Sequence, residues 1–121
     1  MSLPTSQRIA QINDAFRKGG PLTACLGGAP NGSGRWMHTH GVQSLPDAII
    51  ANIVRTVRGF DRFTADNDPH GEHDFGAFQI ESYRLFWKID YYDLALEYGS
   101  SDPADPTVTC RVMTVMLAEE Y

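Results

Sequence analysis

The 121-residue sequence has no long apolar run, and its uninterrupted apolar stretches reach only four residues. A membrane-spanning helix needs about 18 or more such residues, so we expect no membrane span. The first ten residues also lack the basic patch and apolar core of a secretory signal. We therefore expect a cytoplasmic protein, with residues 1–5 disordered or belonging to an expression tag.

Cysteine is also scarce, since Cys25 and Cys110 are the only two. They are far apart and form no CxxC motif, which argues against a redox pair or a zinc site built on thiolates. Cys110 is predicted to be a small buried hydrophobic residue within an apolar helix.

Basic residues are too few for a nonspecific nucleic-acid binder, because 15 acidic residues outnumber ten basic ones and give a net charge of −5. Arg55, Arg58 and Arg62 recur at helical spacing, which could form a DNA-contacting stripe. The same spacing is more typical of the solvent-exposed face of an amphipathic helix. Nucleic acid is therefore disfavoured as a partner.

Length and hydrophobic pattern predict one α+β domain that covers residues 1–121. A first helix is predicted from Ser6 to Lys18, stopped by Gly19 and Gly20. Residues 22–42 suggest two short strands around a glycine-rich turn at 27–34. A second helix is predicted from a cap at Ser44 to Gly59, with apolar residues at i, i+3, i+4 and i+7.

After residue 74 the apolar residues recur at every second position. Residues 83–90 are therefore predicted to form a strand with an apolar and a polar face. Residues 75–80 are its predicted hairpin partner, and residues 94–98 could add a third strand. The pair Asp105-Pro106 resembles the start of a last helix that runs to about Glu119. We thus predict a three- to four-stranded antiparallel sheet with about three helices packed mainly on one face.

The densest polar chemistry lies between residues 66 and 74. Oxygen and imidazole ligands at this density suggest a divalent metal ion, held by Asp66, Asp68, His70 and His73. A calcium-binding EF-hand is rejected because Ala77 stands where the bidentate glutamate is needed, and no zinc-enzyme motif is present. The alternative is an ordered loop whose acidic and amide side chains bind the backbone.

The 87–93 segment is the second candidate, because Lys88 and Asp90 share the polar strand face and could meet the 66–74 loop. A carboxylate base beside a cation could support catalysis. The alternative is a solvent-exposed ion pair of little energetic value. The catalytic candidates from both segments are Glu72, Asp74, Lys88 and Asp90.

Three further motifs are set aside. Gly27 and Gly32 have the spacing of a phosphate-binding loop, but Ser33 stands in place of its lysine. His38 and His40 would alternate on a strand and point to one side, without an acidic residue nearby. The sequence also has no Gly-x-Ser-x-Gly nucleophile elbow.

Three motifs, DNDPHGEHDFG at 66–76, LFWKIDYYD at 85–93 and DPADP at 102–106, give the chain a likeness to a known family. It resembles a bacterial family of short proteins described only as a domain of unknown function. The resemblance covers the chain from about Ile9 onward and implies one small domain. It implies no activity, substrate or cofactor.

The sequence therefore suggests a non-catalytic binding or accessory module that uses the 66–74 loop and the 87–93 hairpin to contact a partner protein or a second copy. The residues of this surface are Asp66, Asn67, Asp68, His70, Glu72, His73, Trp87, Tyr91, Tyr92 and Asp93. The alternative is a divalent-metal-dependent hydrolase or phosphoesterase with the metal in the 66–74 loop.

Overall fold

The computed structural model describes residues 3–26 and 33–121 and forms one α+β unit. Its elements in chain order are α1 (Thr5–Leu26), β1 (Ser33–His38), α2 (His40–Gln43), α3 (Asp47–Arg58), β2 (Phe75–Ile80), β3 (Tyr83–Tyr92), β4 (Cys110–Leu117) and a 3₁₀ turn (Ala118–Glu120). No helix among the described residues combines the length and apolar character needed to cross a membrane.

The four strands form one sheet in the order β1-β4-β3-β2. β2 and β3 pair as the predicted hairpin, and β3 pairs antiparallel with β4. β1 pairs parallel with β4, so the sheet is mixed, whereas the sequence predicted a purely antiparallel one. The last of the four strands along the chain thus lies between β1 and β3.

One face of the sheet carries the core, and α1, α2 and α3 contact strands of this sheet. The predicted alternation in β3 is confirmed, because Leu85, Trp87 and Ile89 are buried while Arg84 is exposed. We call the core side the inner face and the opposite side the outer face. The predicted packing of helices on one face agrees with this arrangement.

The predicted helix over 105–119 is wrong, because residues 110–117 form the central strand β4. Seen along the sequence, Val108, Val112, Val115 and Met116 have helical spacing. A strand that is buried on both faces gives no clear period of two, and it can therefore imitate a helix. β-branched residues at this position favour the strand that forms. Asp105 accepts hydrogen bonds from Thr107 and so stabilises a turn instead of capping a helix.

The predicted pair of strands over 22–42 is also partly wrong. α1 breaks at Gly20, which has a left-handed φ of 77°, and resumes at Pro21 as far as Leu26. Among the described residues of this segment, 33–38 form a strand, and His40 begins α2 instead of following His38 on a strand. Of the predicted glycine-rich turn at 27–34, residues 27–32 lie outside the described residues, whereas Ser33 and Gly34 begin β1.

The helix predicted over 44–59, the strand predicted over 94–98 and the predicted arginine stripe have different outcomes. α3 ends before Gly59 as predicted and buries Ile53 and Val57, but its N-cap is Pro46 instead of Ser44. Residues 94–98 form turns, not a strand. Because α3 ends at Arg58, Arg62 lies in the following loop and the three arginines do not form one helical stripe.

Candidate functional site

The 66–74 loop is held in place by its own polar side chains. Asp68 is buried, and its carboxylate accepts hydrogen bonds from the backbone N–H groups of Glu72 and His73. Asn67 closes a neighbouring turn by accepting from the N–H of Thr64. These contacts match the ordered-loop alternative, in which acidic and amide side chains bind the backbone.

His73 joins this loop to α1. Its Nδ1 lies 2.9 Å from Oδ1 and 3.0 Å from Oδ2 of Asp14, and its Nε2 lies 3.7 Å from Oδ2 of Asp68. Its ring stacks on Phe63, with the centroids 3.9 Å apart and the planes only 4° from parallel. His73 also has a left-handed φ of 56°, which is uncommon for a residue with a side chain. The imidazole therefore clamps the loop to α1.

The Asp14 carboxylate also binds Arg17 at 3.0 Å, and Arg17 is buried against α3. Its remaining guanidinium groups donate to the carbonyl oxygens of Val57 and Phe60. A cavity of about 290 Å³ borders these groups and is also lined by Lys18 and Asp61, among others. These contacts fix α1 to the end of α3 and leave a small polar cleft at the surface.

A second polar network is buried between α1 and the sheet. The Arg111 side chain is fully buried and donates from Nε to Oδ1 of Asn13 at 2.6 Å. Asn13 in turn donates to the carbonyl oxygen of Glu72 at 2.9 Å and to the Tyr91 hydroxyl at 2.8 Å. Tyr91 donates to the Glu72 carboxylate at 3.0 Å, and Arg111 also donates to the carbonyl of Pro103.

This network contains a charge without a direct carboxylate partner in the described part of the chain. Nη1 of Arg111 has no hydrogen-bond partner there, and burial lowers the pKa of Arg111. Burial also raises the pKa of Tyr91, which keeps its hydroxyl protonated as a donor. The Glu72 carboxylate balances the Arg111 charge through Asn13 and Tyr91 instead of through an ion pair.

The catalytic candidates do not converge. Lys88 and Asp90 form an ion pair on the outer face, with Nζ and Oδ2 2.8 Å apart, and this hydrogen bond raises the pKa of Lys88. Glu72 and Asp74 belong to the loop, and burial raises the pKa of Asp74, as do the neighbouring charge of Glu72 and, more weakly, that of Asp68. No hydrogen bond or ion pair found among the described residues joins Lys88 or Asp90 to the 66–74 loop.

The four predicted metal ligands have different surroundings. Asp66 and His70 are exposed, whereas Asp68 and His73 already bind other groups of the protein. Within residues 3–26 and 33–121, no three His, Cys, Asp or Glu side chains are grouped as a metal site would need. Because both ring nitrogens of His73 face carboxylates, the imidazole is also poorly placed to activate a hydroxyl.

The predicted binding surface is split by the sheet. Trp87 is fully buried in the core, because its side chain lies on the inner face of β3. Tyr91 is partly buried in the polar network, whereas Tyr92 is exposed on the outer face. The structure brings the 66–74 loop next to Tyr91, as the Tyr91–Glu72 hydrogen bond shows, so the two predicted segments do meet at this end of the sheet.

Sequence reasoning missed the α1 residues and the loop after β3. Asn13, Asp14 and Arg17 have the polar character of a solvent-exposed helix face, and no local signal reveals their partners about 40 to 100 positions away. The sequence predicted a strand over 94–98, but residues 93–98 form a compact loop that leaves Leu94, Leu96 and Tyr98 exposed.

Comparison with known proteins identifies the family. Residues 38–120 match the model of the family described as "Protein of unknown function (DUF3768)". The matched range is about two thirds of the chain, and the chain belongs to this family. No match was found among curated proteins or among solved structures.

Proposed function

We propose that this protein is a binding module that recognises a partner protein at the end of the sheet where β3 ends and β4 begins. The observation that carries the proposal is the apolar surface of the loop at 93–98. The exposed fractions of Leu94, Leu96 and Tyr98 in this loop are 56, 37 and 73%. Burial of such apolar surface in a complex would stabilise it by about 25 cal/mol per Å².

The loop is preorganised by its own hydrogen bonds. The Asp93 carboxylate accepts from the N–H of Glu97 at 2.9 Å, and the Asp93 N–H donates to the carbonyl oxygen of Tyr98 at 2.8 Å. Leu96 has a left-handed φ of 60°, which costs a leucine about 1–2 kcal/mol. Strain of this kind is concentrated at functional positions, and a preformed loop loses little entropy on binding.

The charge around the loop indicates the chemistry of the partner. The segment 90–109 contains five acidic residues and no basic one. Asp90, Glu97 and Asp102 belong to this segment, and hydrogen bonds to Thr107 hold the pKa of Asp105 below its usual range. We therefore expect a partner surface in which apolar side chains are bordered by lysine or arginine.

A peptide-display selection on the immobilised full chain tests this proposal. The enriched peptides should combine apolar residues with lysine or arginine, and salt should weaken their binding because charges meet at the rim. The double variant Leu94→Ser/Tyr98→Ala should bind an enriched peptide at least about tenfold more weakly, since each central apolar anchor contributes more than about 1 kcal/mol.

The matched control is Leu22→Ser, because Leu22 is 74% exposed on α1 and its replacement removes a similar apolar side chain elsewhere. It should leave peptide affinity unchanged. The proposal is wrong if no basic and apolar peptide is enriched, or if the double variant binds such peptides as tightly as the unmodified chain.

The metal-dependent hydrolase stays a prediction. It requires Asp66 and His70 to join Asp68 and His73 around an ion. Elemental mass spectrometry and thermal shifts with manganese, zinc, magnesium and calcium test it, since a selective ion at a hundredfold excess over its Kd would add about 2.7 kcal/mol of stability. Absence of both bound metal and any shift would contradict it.

A further inference from the structure

β2 forms one edge of the sheet, and half of its backbone groups point away from β3. The Asp74 carbonyl accepts from the N–H of Ile89 at 2.9 Å. With the β2–β3 register, this bond shows which β2 residues direct their backbone groups toward β3 and which direct them outward. In an antiparallel pair, alternate residues turn their N–H and C=O groups outward. Phe75, Ala77 and Gln79 therefore present unpaired backbone groups along the edge, and they have no backbone hydrogen bond to other described residues.

The β2 strand itself has none of the usual sequence devices against strand pairing, although residues 59–62 border its Phe78–Ile80 end. The β2 sequence FGAFQI contains no charged residue and no proline. Its six residues pair with β3 in a continuous register, so no bulge twists the edge away. Natural sheets normally block free edges with such devices, and an edge without them is a template for another strand. The opposite edge strand β1, by contrast, carries Arg35.

We infer that β2 pairs with β2 of a second copy of this chain and that the dimer has one continuous eight-stranded sheet. The outward backbone groups permit an antiparallel arrangement with the two-fold axis at Ala77. In this register Phe75 lies opposite Gln79 of the second copy. The axis passes a small side chain, and no like charges face each other between positions 75 and 79.

The outer face beside this edge gives a further reason for a second copy. Phe75, Phe86 and Tyr121 form a cluster of rings with centroids 5.2 to 6.3 Å apart, and Tyr121 is 79% exposed. Phe75 belongs to the edge strand itself, so a strand added at this edge would cover part of the cluster in both copies. An apolar cluster that adjoins an open edge is suited to such pairing.

Analytical ultracentrifugation of the full chain, from micromolar to millimolar concentration, is the direct test. We expect a concentration-dependent monomer–dimer equilibrium. Ala77→Lys would place two like charges at the axis and should abolish the dimer, while Ala77 is exposed and its replacement leaves the core intact. Met37→Lys is the matched control, because Met37 is 53% exposed and the same charge is then added on β1, at the other edge of the sheet.

Cysteine cross-linking gives a second readout that does not depend on the lysine variant. Residues paired at the axis have Cα atoms about 5.5 Å apart, which suits a disulfide. Ala77→Cys should therefore form a covalent dimer under mild oxidation. Ser82→Cys should not, since the two copies of residue 82 would lie roughly 30 Å apart at about 3.4 Å per residue. The unmodified chain gives the background from Cys25 and Cys110.

Three results would overturn the inference. The first is a chain that stays monomeric at millimolar concentration, and the second is a dimer that persists in Ala77→Lys. The third is cross-linking of Ala77→Cys that does not exceed that of Ser82→Cys. Because peptide binding at the 93–98 loop is measured separately, failure of this inference and failure of the proposed function can be distinguished.

Discussion

Replacement of Asn13 by leucine should be the most damaging single change in the buried polar network. Asn13 accepts from Arg111 and donates to Glu72 and Tyr91. A hydrogen bond to a charged group contributes about 1.5–3 kcal/mol, and each neutral one about 0.5–1.5 kcal/mol. Leucine fills a similar volume but makes none of these bonds. We therefore expect a loss of about 4 kcal/mol in the free energy of unfolding.

Thermal and urea unfolding measure this loss. At this chain length 1 kcal/mol corresponds to about 4 °C, so the Tm should fall by about 15 °C. Gln11→Leu is the control. Gln11 lies on the exposed side of α1, and its substitution likewise replaces a side-chain amide by leucine. A surface substitution of this kind should stay within about 0.5 kcal/mol.

A double variant tests the physical reason. Arg111→Met removes the buried charge, so Asn13→Leu in that background should cost much less than it costs alone. If Asn13→Leu alone costs less than about 1 kcal/mol, or if the two losses simply add, then the Asn13 contact does not balance the Arg111 charge and our reasoning is wrong.

Three further changes test other parts of the structure. Glu81 has a left-handed φ of 51° in the β2–β3 turn, so Glu81→Gly should raise stability by about 0.5–1 kcal/mol in urea unfolding; a decrease would contradict this. A Cβ on Gly76 would lie 2.2 Å from Nε1 of the Trp87 side chain, so Gly76→Ala should cost about 1–3 kcal/mol, and an unchanged Tm would count against the packing described. The raised pKa of Asp74 means that the folded state binds its proton more tightly, so stability falls as pH rises above the usual value near 3.8. Asp74→Asn should therefore be more stable than the unmodified chain at pH 7, and equal to it near pH 3; urea unfolding at both values checks this.

Much of the sheet could be predicted because its pattern is local. β3 alternates cleanly between apolar and polar residues, and the β2–β3 hairpin is short. α3 has one apolar stripe and a glycine after its last residue. β4 could not be identified in this way, because both of its faces contain buried residues, so its apolar residues do not alternate. The parallel pairing of β1 with β4 has no local signal either.

The candidate site was predictable only in part for a similar reason. The polar residues of 66–74 are conspicuous in the sequence, and the structure joins this loop to Tyr91. The groups that hold the loop, Asn13 and Asp14, come from a helix at the other end of the chain. Periodicity identifies apolar faces, but it cannot tell a buried polar residue from a solvated one.

The central position of β4 has a consequence for synthesis of the chain. β1 leaves the ribosome before β4, its strand partner in the described part of the chain, because Ser33 pairs with Cys110, about 75 residues later. At typical rates of 5–20 residues per second, β1 waits about 4–15 s without the backbone hydrogen bonds that β4 supplies. Loop closure over this distance also slows folding. We therefore expect the nascent chain to expose unpaired strand backbone during this period. Of the strand pairings described, a chain that stops before Cys110 keeps the β2–β3 hairpin alone, which is marginally stable.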